Sequence, residues 1–321
     1  MSQAVELRKL AEEYLGSLLV QGYSSINTAS IKRYLERFIN HISAEGKDLF
    51  IADRTDPRCV DHGCLLRWLQ AIRLTGVKEY SLQANKTSIS GFYRWLIRVG
   101  RADRNPIEML APIKLPKYLP KPIPVGDTEK VLLEAKKMPW INKVRNKAML
   151  EVFYASGIRN SELASLDIND VVLDAPEPYV MIRAGKGKKD GLGMLTPAAV
   201  EAIKAYLPIR EKMIRKWEKP KDWPPLFLSK SGKRMDKVSI WQIVGEVGQA
   251  VLGRHIHPHQ FRHSFCTDLL NRGADLMSIK ELARHEQLTT TQKYLAVSTE
   301  RLKEQYAKHP GMKPKGEEPK K

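Results

Sequence analysis

Apolar side chains recur at helical spacing through the first hundred residues. Ile31, Tyr34, Leu35, Phe38, Ile39 and Ile42 fall at i, i+3, i+4, i+7, i+8 and i+11, one face of an α-helix, with Asn27 or Thr28 as the expected N-cap. Leu65, Leu66, Leu69 and Ile72 make a second stripe. Ile89, Phe92, Tyr93, Leu96 and Ile97 make a third, whose helix should stop near Gly100 and ahead of Asn105-Pro106. The period then lapses. From Ala111 to Asp127 the chain carries five prolines and three lysines, a composition that enforces an extended, semi-rigid connector.

Beyond the connector the pattern is mixed. Helices are expected over Val144 to Ala155, interrupted at Gly157, and again from Ser161 to Ala164. Val171 to Leu173, Tyr179 to Ala184 and Leu192 to Thr196 read as short strands, the last two joined by a glycine-flanked basic turn, Gly185 to Gly191. Helices follow over Ala198–Arg215, Ser239–Leu252, Pro258–Asn271 and Asp275–Ala283, with two more short ones near Tyr294 and over Ser298–Lys308. The expected organisation is a helical domain over 1–110, a Pro/Lys linker over 111–126, a mainly α domain with a small β-sheet over 127–308, and a flexible tail over 309–321. No internal repeat is evident.

Charge changes this picture. The 321 residues include 54 Lys+Arg against 36 Asp+Glu, a formal net charge of +18, which points to a polyanionic partner such as nucleic acid. A hydrophobic fraction of 42% argues against global disorder. No apolar run approaches the roughly 18 residues that span a bilayer, and the N-terminus lacks a signal-peptide core, so a cytoplasmic protein without membrane attachment is expected. Cys59, Cys64 and Cys266 imply no disulfide framework. Candidate phosphate contacts are Arg67, Lys86 and Arg94 beside the helical stripes, Lys114, Lys117 and Lys121 in the linker, and Lys188 and Lys189 in the turn. Each of these also reads as an ordinary solvated cation.

Four segments could carry chemistry. HIHPHQFRH packs His255, His257, His259 and His263 around Arg262. Zinc binding is one reading, although no nearby Cys or Glu completes a site, and core histidines are another. A third takes His259 and Arg262, which project on one helical face at i, i+3 and could handle a proton and an oxyanion together. In YASGIRNSEL, Glu162 can orient Arg159 through a charge-assisted pair; on this segment alone a structural ion pair is the simpler reading. Lys186 sits between Gly185 and Gly187, where it could reach a phosphate or a leaving oxygen. In ELARHEQLTTTQKYL, His285 precedes Tyr294 by nine residues, and a tyrosine acts as a nucleophile only with a proton acceptor and a strongly electrophilic phosphorus.

Taken in order, YASGIRNSEL, GKGKKDG, HPHQFRHSFCTDLL and LARHEQLTTTQKYL resemble the tyrosine recombinase (phage integrase) family, most like its Xer-type and integrase-type members. The resemblance covers nearly the whole chain. It implies a two-domain DNA clamp, a helical N-terminal DNA-binding domain linked to a catalytic domain. It places the catalytic arginines on Arg159 and Arg262, the supporting carboxylate on Glu162, the hairpin lysine on Lys186 with Lys188 close by, the histidines on His259 and His285, and the nucleophile on Tyr294. The implied reaction is metal- and ATP-independent site-specific recombination through a 3′-phosphotyrosyl link and a Holliday junction. The implied partners are double-stranded DNA carrying a recombination site and three further copies of the chain on two such sites, with room for an accessory DNA-binding protein. The segment Arg301 to Lys308 would dock on a neighbouring copy. No cofactor is required, because guanidinium charge takes the place of a metal.

Two positions depart from the family pattern. Arg284 stands where L-G-H would have glycine, adding charge near the site, and Gln260 stands where Asp or a small polar residue is common. Two rivals stay open at this point: a non-catalytic DNA-binding protein on the same fold, and a type IB topoisomerase-like enzyme that nicks and reseals. Integration, excision and resolution of cointegrates or dimers all use this chemistry. No additional N-terminal arm-binding domain is evident, which favours simple-site resolution or Xer-like work over lambda-type integration.

Overall fold

The computed structural model describes residues 3–51, 58–116, 122–135, 143–183 and 190–285. The chain divides into two units, Met1–Lys117 and Tyr118–Lys321, and the division falls within the proline-rich stretch.

Among its described residues the first unit holds four α-helices: α1 (Gln3–Val20), α2 (Ser25–Ala44), α3 (His62–Leu74) and α4 (Glu79–Arg98). The α2 stripe is buried as its spacing predicts, with Leu35, Phe38, Ile39 and Ile42 at 1% exposure or less. Its cap lies elsewhere than expected. Ser24, not Asn27 or Thr28, is the N-cap: its hydroxyl accepts from the Asn27 N–H, and the Thr28 hydroxyl donates back to the Ser24 carbonyl. The helix thus begins one turn before its first core residue. On α3 the buried face is Cys64, Leu65, Trp68 and Ile72, while Leu66 points outward, so one member of the expected stripe belongs to the opposite face. Trp68 meets Phe38 edge-on at 5.0 Å, and Tyr93 of α4 meets the same ring at 6.1 Å, so aromatic contacts join three helices.

In the second unit the sequence runs α5 (Val125–Glu134), α6 (Lys143–Ser156), α7 (Asn160–Ser165), β1 (Val171–Val172), β2 (Tyr179–Ile182), β3 (Gly191–Met194), α8 (Pro197–Lys216), α9 (Lys237–Leu252), α10 (Pro258–Asn271) and α11 (Leu276–Leu282). The sheet is antiparallel in the order β1-β2-β3, with Val171 opposite Val180 and Ile182 opposite Gly191. Helix α6 is buried nearly all round, as in a central core helix: Ala148, Met149, Leu150, Val152 and Phe153 are buried, and so are Arg145, Asn146 and Glu151. It packs on α8 and α10, and Phe153 stacks on Phe261 of α10 at 6.1 Å. The Ser264 hydroxyl of α10 accepts from the Ile123 N–H and donates to the Ile123 carbonyl, fastening the segment ahead of α5 to the same helix. The core therefore holds the end of α6 and the start of α10 side by side. All three cysteines are buried and outside any disulfide.

Candidate active site

Helix α6 ends at Ser156, and Gly157 turns the chain with φ +57°. Two residues on, Arg159 is the N-cap of α7 and Glu162 occupies the third helical position. The carboxylate there takes two bonds from one residue: the Arg159 backbone N–H donates to Oε2 at 2.8 Å and Nη1 donates to Oε1 at 2.6 Å. The short turn thus serves both as a helix cap and as a clamp on the guanidinium.

Arg262 comes from α10 and is 1% exposed. Its Nη1 donates to the Gly157 carbonyl at 2.6 Å and its Nη2 to the Ala283 carbonyl. Arg159 Nη2 donates at 2.9 Å to the next carbonyl, that of Arg284. Two consecutive carbonyls just past α11, among those a helix end leaves unpaired, therefore draw the two guanidinium groups together. The pairing joins residues 105 and 125 positions apart, a relation no local pattern contains.

The charges around this pair sort the titratable groups. Burial pushes the Glu162 carboxyl up, but the Arg159 backbone and side-chain bonds and the Arg159 and Arg284 charges outweigh it, and the net shift is down. Burial, then the Arg159 charge, brings Arg262 down to about 10, which still leaves it cationic at neutral pH. Burial, then Arg262 and Arg159, lowers His259. His285 is brought down to about 3 by burial, then by Arg262, Arg159, His259 and His263. His259 and His263 meet edge to face at 4.5 Å. A neutral imidazole beside fixed cations can donate an N–H to an oxyanion without adding charge, and its other ring nitrogen can accept a proton.

The His285 shift has a stability consequence. An unfolded histidine titrates near ~6.5, so below that pH the unfolded chain takes up a proton that the folded chain refuses. Stability contributed by neutral His285 is present above about 6.5 and is lost as the pH falls toward about 3. His285→Asn should flatten the fall in unfolding free energy over that window, measured by urea denaturation at successive pH values.

Arg284 is where sequence reading fell short. Its backbone lies at φ +55°, a conformation that costs a non-glycine residue on the order of 1–2 kcal/mol. Its guanidinium donates to the Leu192 carbonyl at 3.1 Å, the Leu282 carbonyl at 3.0 Å and Glu162 Oε2 at 3.4 Å. The departure from glycine was visible; its partners on β3 and α7 were not. Gln260, the other departure, accepts the His257 N–H at 2.9 Å and closes the N-terminal turn of α10. Trp241, stacked on His257 at 5.0 Å, had no sequence signal.

With this geometry in place, comparison with known proteins is decisive. The phage integrase family matches residues 127–301. The chain is 37% identical over 284 residues to the tyrosine recombinase XerC of Pelobacter propionicus, covering 88% of each chain. It is 33% identical over 311 residues to XerC of Shigella dysenteriae, covering 96% of this chain and 98% of the relative. This chain belongs to the phage integrase family. It is a tyrosine-type site-specific DNA recombinase. Solved structures share the fold at lower identity. XerH recombinase bound to a palindromic difH substrate in a post-cleavage complex matches at TM-score 0.73 and 18% identity, over 95% of this chain and 84% of that one. A lambda integrase dimer bound to a COC′ core site matches at 0.65 and 15%, over 88% and 96%.

In the recombinase, Arg159, Glu162, Arg262, His259 and His285 thus occupy one electrostatic neighbourhood. Lys186, Lys188, Lys189, Lys117, Lys121 and Tyr294, with the helices expected beyond His285, lie outside the described residues. Among the expected DNA contacts in the first unit, Arg67 is forked onto Glu45 at 2.7 Å through both Nε and Nη2, and Lys86 donates to the Leu110 and Ala111 carbonyls at 2.8 and 2.9 Å. Those bonds compete with phosphate contact. Arg94 and Lys114 are exposed. The histidine cluster of α10 is not among the potential ligand groups within reach of one ion; His41, Glu45 and Cys64 are the one such group among the described residues. Burial, then Glu45, pushes the Cys64 thiol up to about 12, and Glu45 is already forked by Arg67. Among the described residues no helix is long and apolar enough to cross a membrane.

Proposed function

We propose that this recombinase cleaves a DNA strand by in-line attack of the Tyr294 hydroxyl on a scissile phosphodiester. The phosphorus–5′-oxygen bond breaks, leaving a 3′-phosphotyrosyl link and a 5′-hydroxyl. Arg159 and Arg262 bind the nonbridging oxygens, whose charge is greatest in the pentacoordinate transition state. His259 takes the phenolic proton, which an unperturbed tyrosine holds to a pKa of about 10. Lys186 returns a proton to the departing 5′-oxygen, and His285 adds a neutral hydrogen bond. The tyrosyl phosphodiester conserves the bond energy, so rejoining needs no ATP.

The observation that carries this reading is the convergence of two guanidinium groups from α10 and the α6–α7 turn on adjacent carbonyls, with a neutral histidine beside them. A second duplex and four protomers exchanging strands in pairs through a Holliday junction complete the proposed cycle. Identity to XerC relatives supports simple-site resolution as the role. The difH and COC′ complexes of the structural neighbours support a duplex recombination site as the partner.

The test is a nicked suicide duplex drawn from DNA flanking the coding sequence. A covalent adduct should form in excess chelator, and peptide mapping should place it on Tyr294. An adduct on another residue, or none with any flanking duplex, would overturn the assignment. DNA affinity should also fall steeply with salt, with log K dropping by about 0.9 per neutralised phosphate for each unit of log salt. A flat dependence would count against phosphate-dominated binding.

A further inference from the structure

We propose that Arg284 is a positioning residue: it holds Arg159 in its phosphate-binding pose by sharing Glu162 and fastening that carboxylate to strand β3. The inference rests on the roles proposed for Arg159 and Arg262 and adds a residue that acts through them.

Three independent features converge on this side chain. Its backbone sits at φ +55°, where an L residue is disfavoured, so the position retains arginine against a local conformational bias toward glycine. On the facing strand, Gly191 leaves a slot for the arginine stem; a Cβ there would lie 2.5 Å from Arg284 Cδ. The guanidinium then spans three elements, donating to Leu192 of β3, Leu282 of α11 and Glu162 of α7. A cation held only by solvent would need none of these.

Residue 284 grips Arg159 from two sides. Its carbonyl accepts from Arg159 Nη2 at 2.9 Å, and its side chain donates to the carboxylate that holds Arg159 Nη1 and backbone N–H. Glu162 therefore answers to two cations, and its orientation depends on both. With Arg284 removed, Glu162 has Arg159 as its remaining strong partner, and the pair can swing together away from the β3 edge. The Arg284 Nη groups donate to two carbonyls and to Glu162, just as those of Arg159 and Arg262 are engaged by the protein, so the salt slope of DNA binding separates a positioning role from a direct phosphate contact.

Arg284→Gly tests this cleanly, because glycine suits the positive φ and removes only the side chain; Arg284→Gln, which keeps the stem without the charge, is the second variant. Both are compared with the native chain in single-turnover cleavage of the suicide duplex and of the same duplex with a methylphosphonate at the scissile position. The methyl group removes a nonbridging charge and with it much of the need for a well-placed arginine. Cleavage of the phosphodiester should slow about 10- to 100-fold, the scale of a misplaced catalytic group. The loss should largely disappear on the methylphosphonate, and DNA affinity and its salt slope should stay native. Native cleavage rates in both variants would overturn the inference, as would equal losses on the two substrates. A salt slope reduced by about one would also overturn it, since that marks a direct phosphate contact. If the native chain cleaves while any of these three results appears, this inference alone fails. If the native chain forms no adduct, the reading of the site fails as well.

Discussion

Arg262→Ala is expected to remove nearly all strand cleavage and to weaken the second unit at the same time. The side chain is 1% exposed and both Nη groups are committed to carbonyls, those of Gly157 and Ala283. Truncation leaves two buried acceptors unpaired, at roughly 1–3 kcal/mol each. Loss of one preorganised transition-state donor costs on the order of 10²–10³ in rate. Arg159→Ala should lose a similar factor in rate with a smaller effect on stability, because that side chain is 39% exposed and Glu162 keeps Arg284 as a partner. Arg262→Lys separates charge from geometry: one ammonium cannot fork onto two carbonyls and a phosphate, so it should recover little of the rate. The measurement is single-turnover cleavage at a temperature where circular dichroism shows each variant folded. A folded Arg262→Ala that cleaves at the native rate would remove Arg262 from the chemistry.

The contrast between the two arginines explains how the fold holds a strongly cationic site together. Backbone carbonyls, a helix end and one ionised carboxylate supply the counter-dipoles, so Arg262 remains cationic though buried. Burial, then the charges of Arg262 and Arg159, favours the neutral form of His259 and His285. The groups proposed to handle protons and those proposed to bind charge are thereby separated by environment.

Much of this was legible in the chain, and the parts that were not share a cause. Helical stripes located α2, α3, α4 and most helices of the second unit, because a buried face repeats at the helical period whatever it packs against. The period cannot say which of two adjacent leucines faces inward. Leu65 is buried and Leu66 exposed, while Trp68 and Cys64 complete the face. Helix α5, which begins within the proline-rich stretch at Val125, went unseen because prolines mask its first turn. At the site, the arginines, the glutamate and the histidines were readable as types at known spacings. Their meeting point was not, since it is made by the carbonyls of Ala283 and Arg284, and a carbonyl has no letter in a sequence. Arg284 illustrates the limit well: glycine's absence was plain, but the value of an arginine there depends on Gly191 and Leu192, more than ninety positions earlier.

Gly157→Ala should combine backbone strain with overpacking at the joint that holds Arg262. At φ +57° an alanine pays on the order of 1–2 kcal/mol in backbone strain. Its Cβ would also lie 2.4 Å from Phe265 Cδ1 and 2.9 Å from both Cε1 and Cγ, so the ring must move, and overpacking of this kind costs roughly 1–3 kcal/mol. The two penalties act on one joint. Phe265 lies on α10 three residues after Arg262, and the Gly157 carbonyl is the acceptor for Arg262 Nη1. Relief of the clash therefore displaces the arginine, its acceptor or both. The thermal midpoint should fall on the order of 10 °C for a unit of this size. Cleavage should fall further than DNA affinity, because the shift reaches the guanidinium and leaves distant phosphate contacts alone. Adding Phe265→Leu to Gly157→Ala separates the terms: the smaller side chain relieves the overpacking but leaves the strain, so stability should return only in part. A Gly157→Ala chain with native midpoint and native cleavage would mean that this turn does not position Arg262.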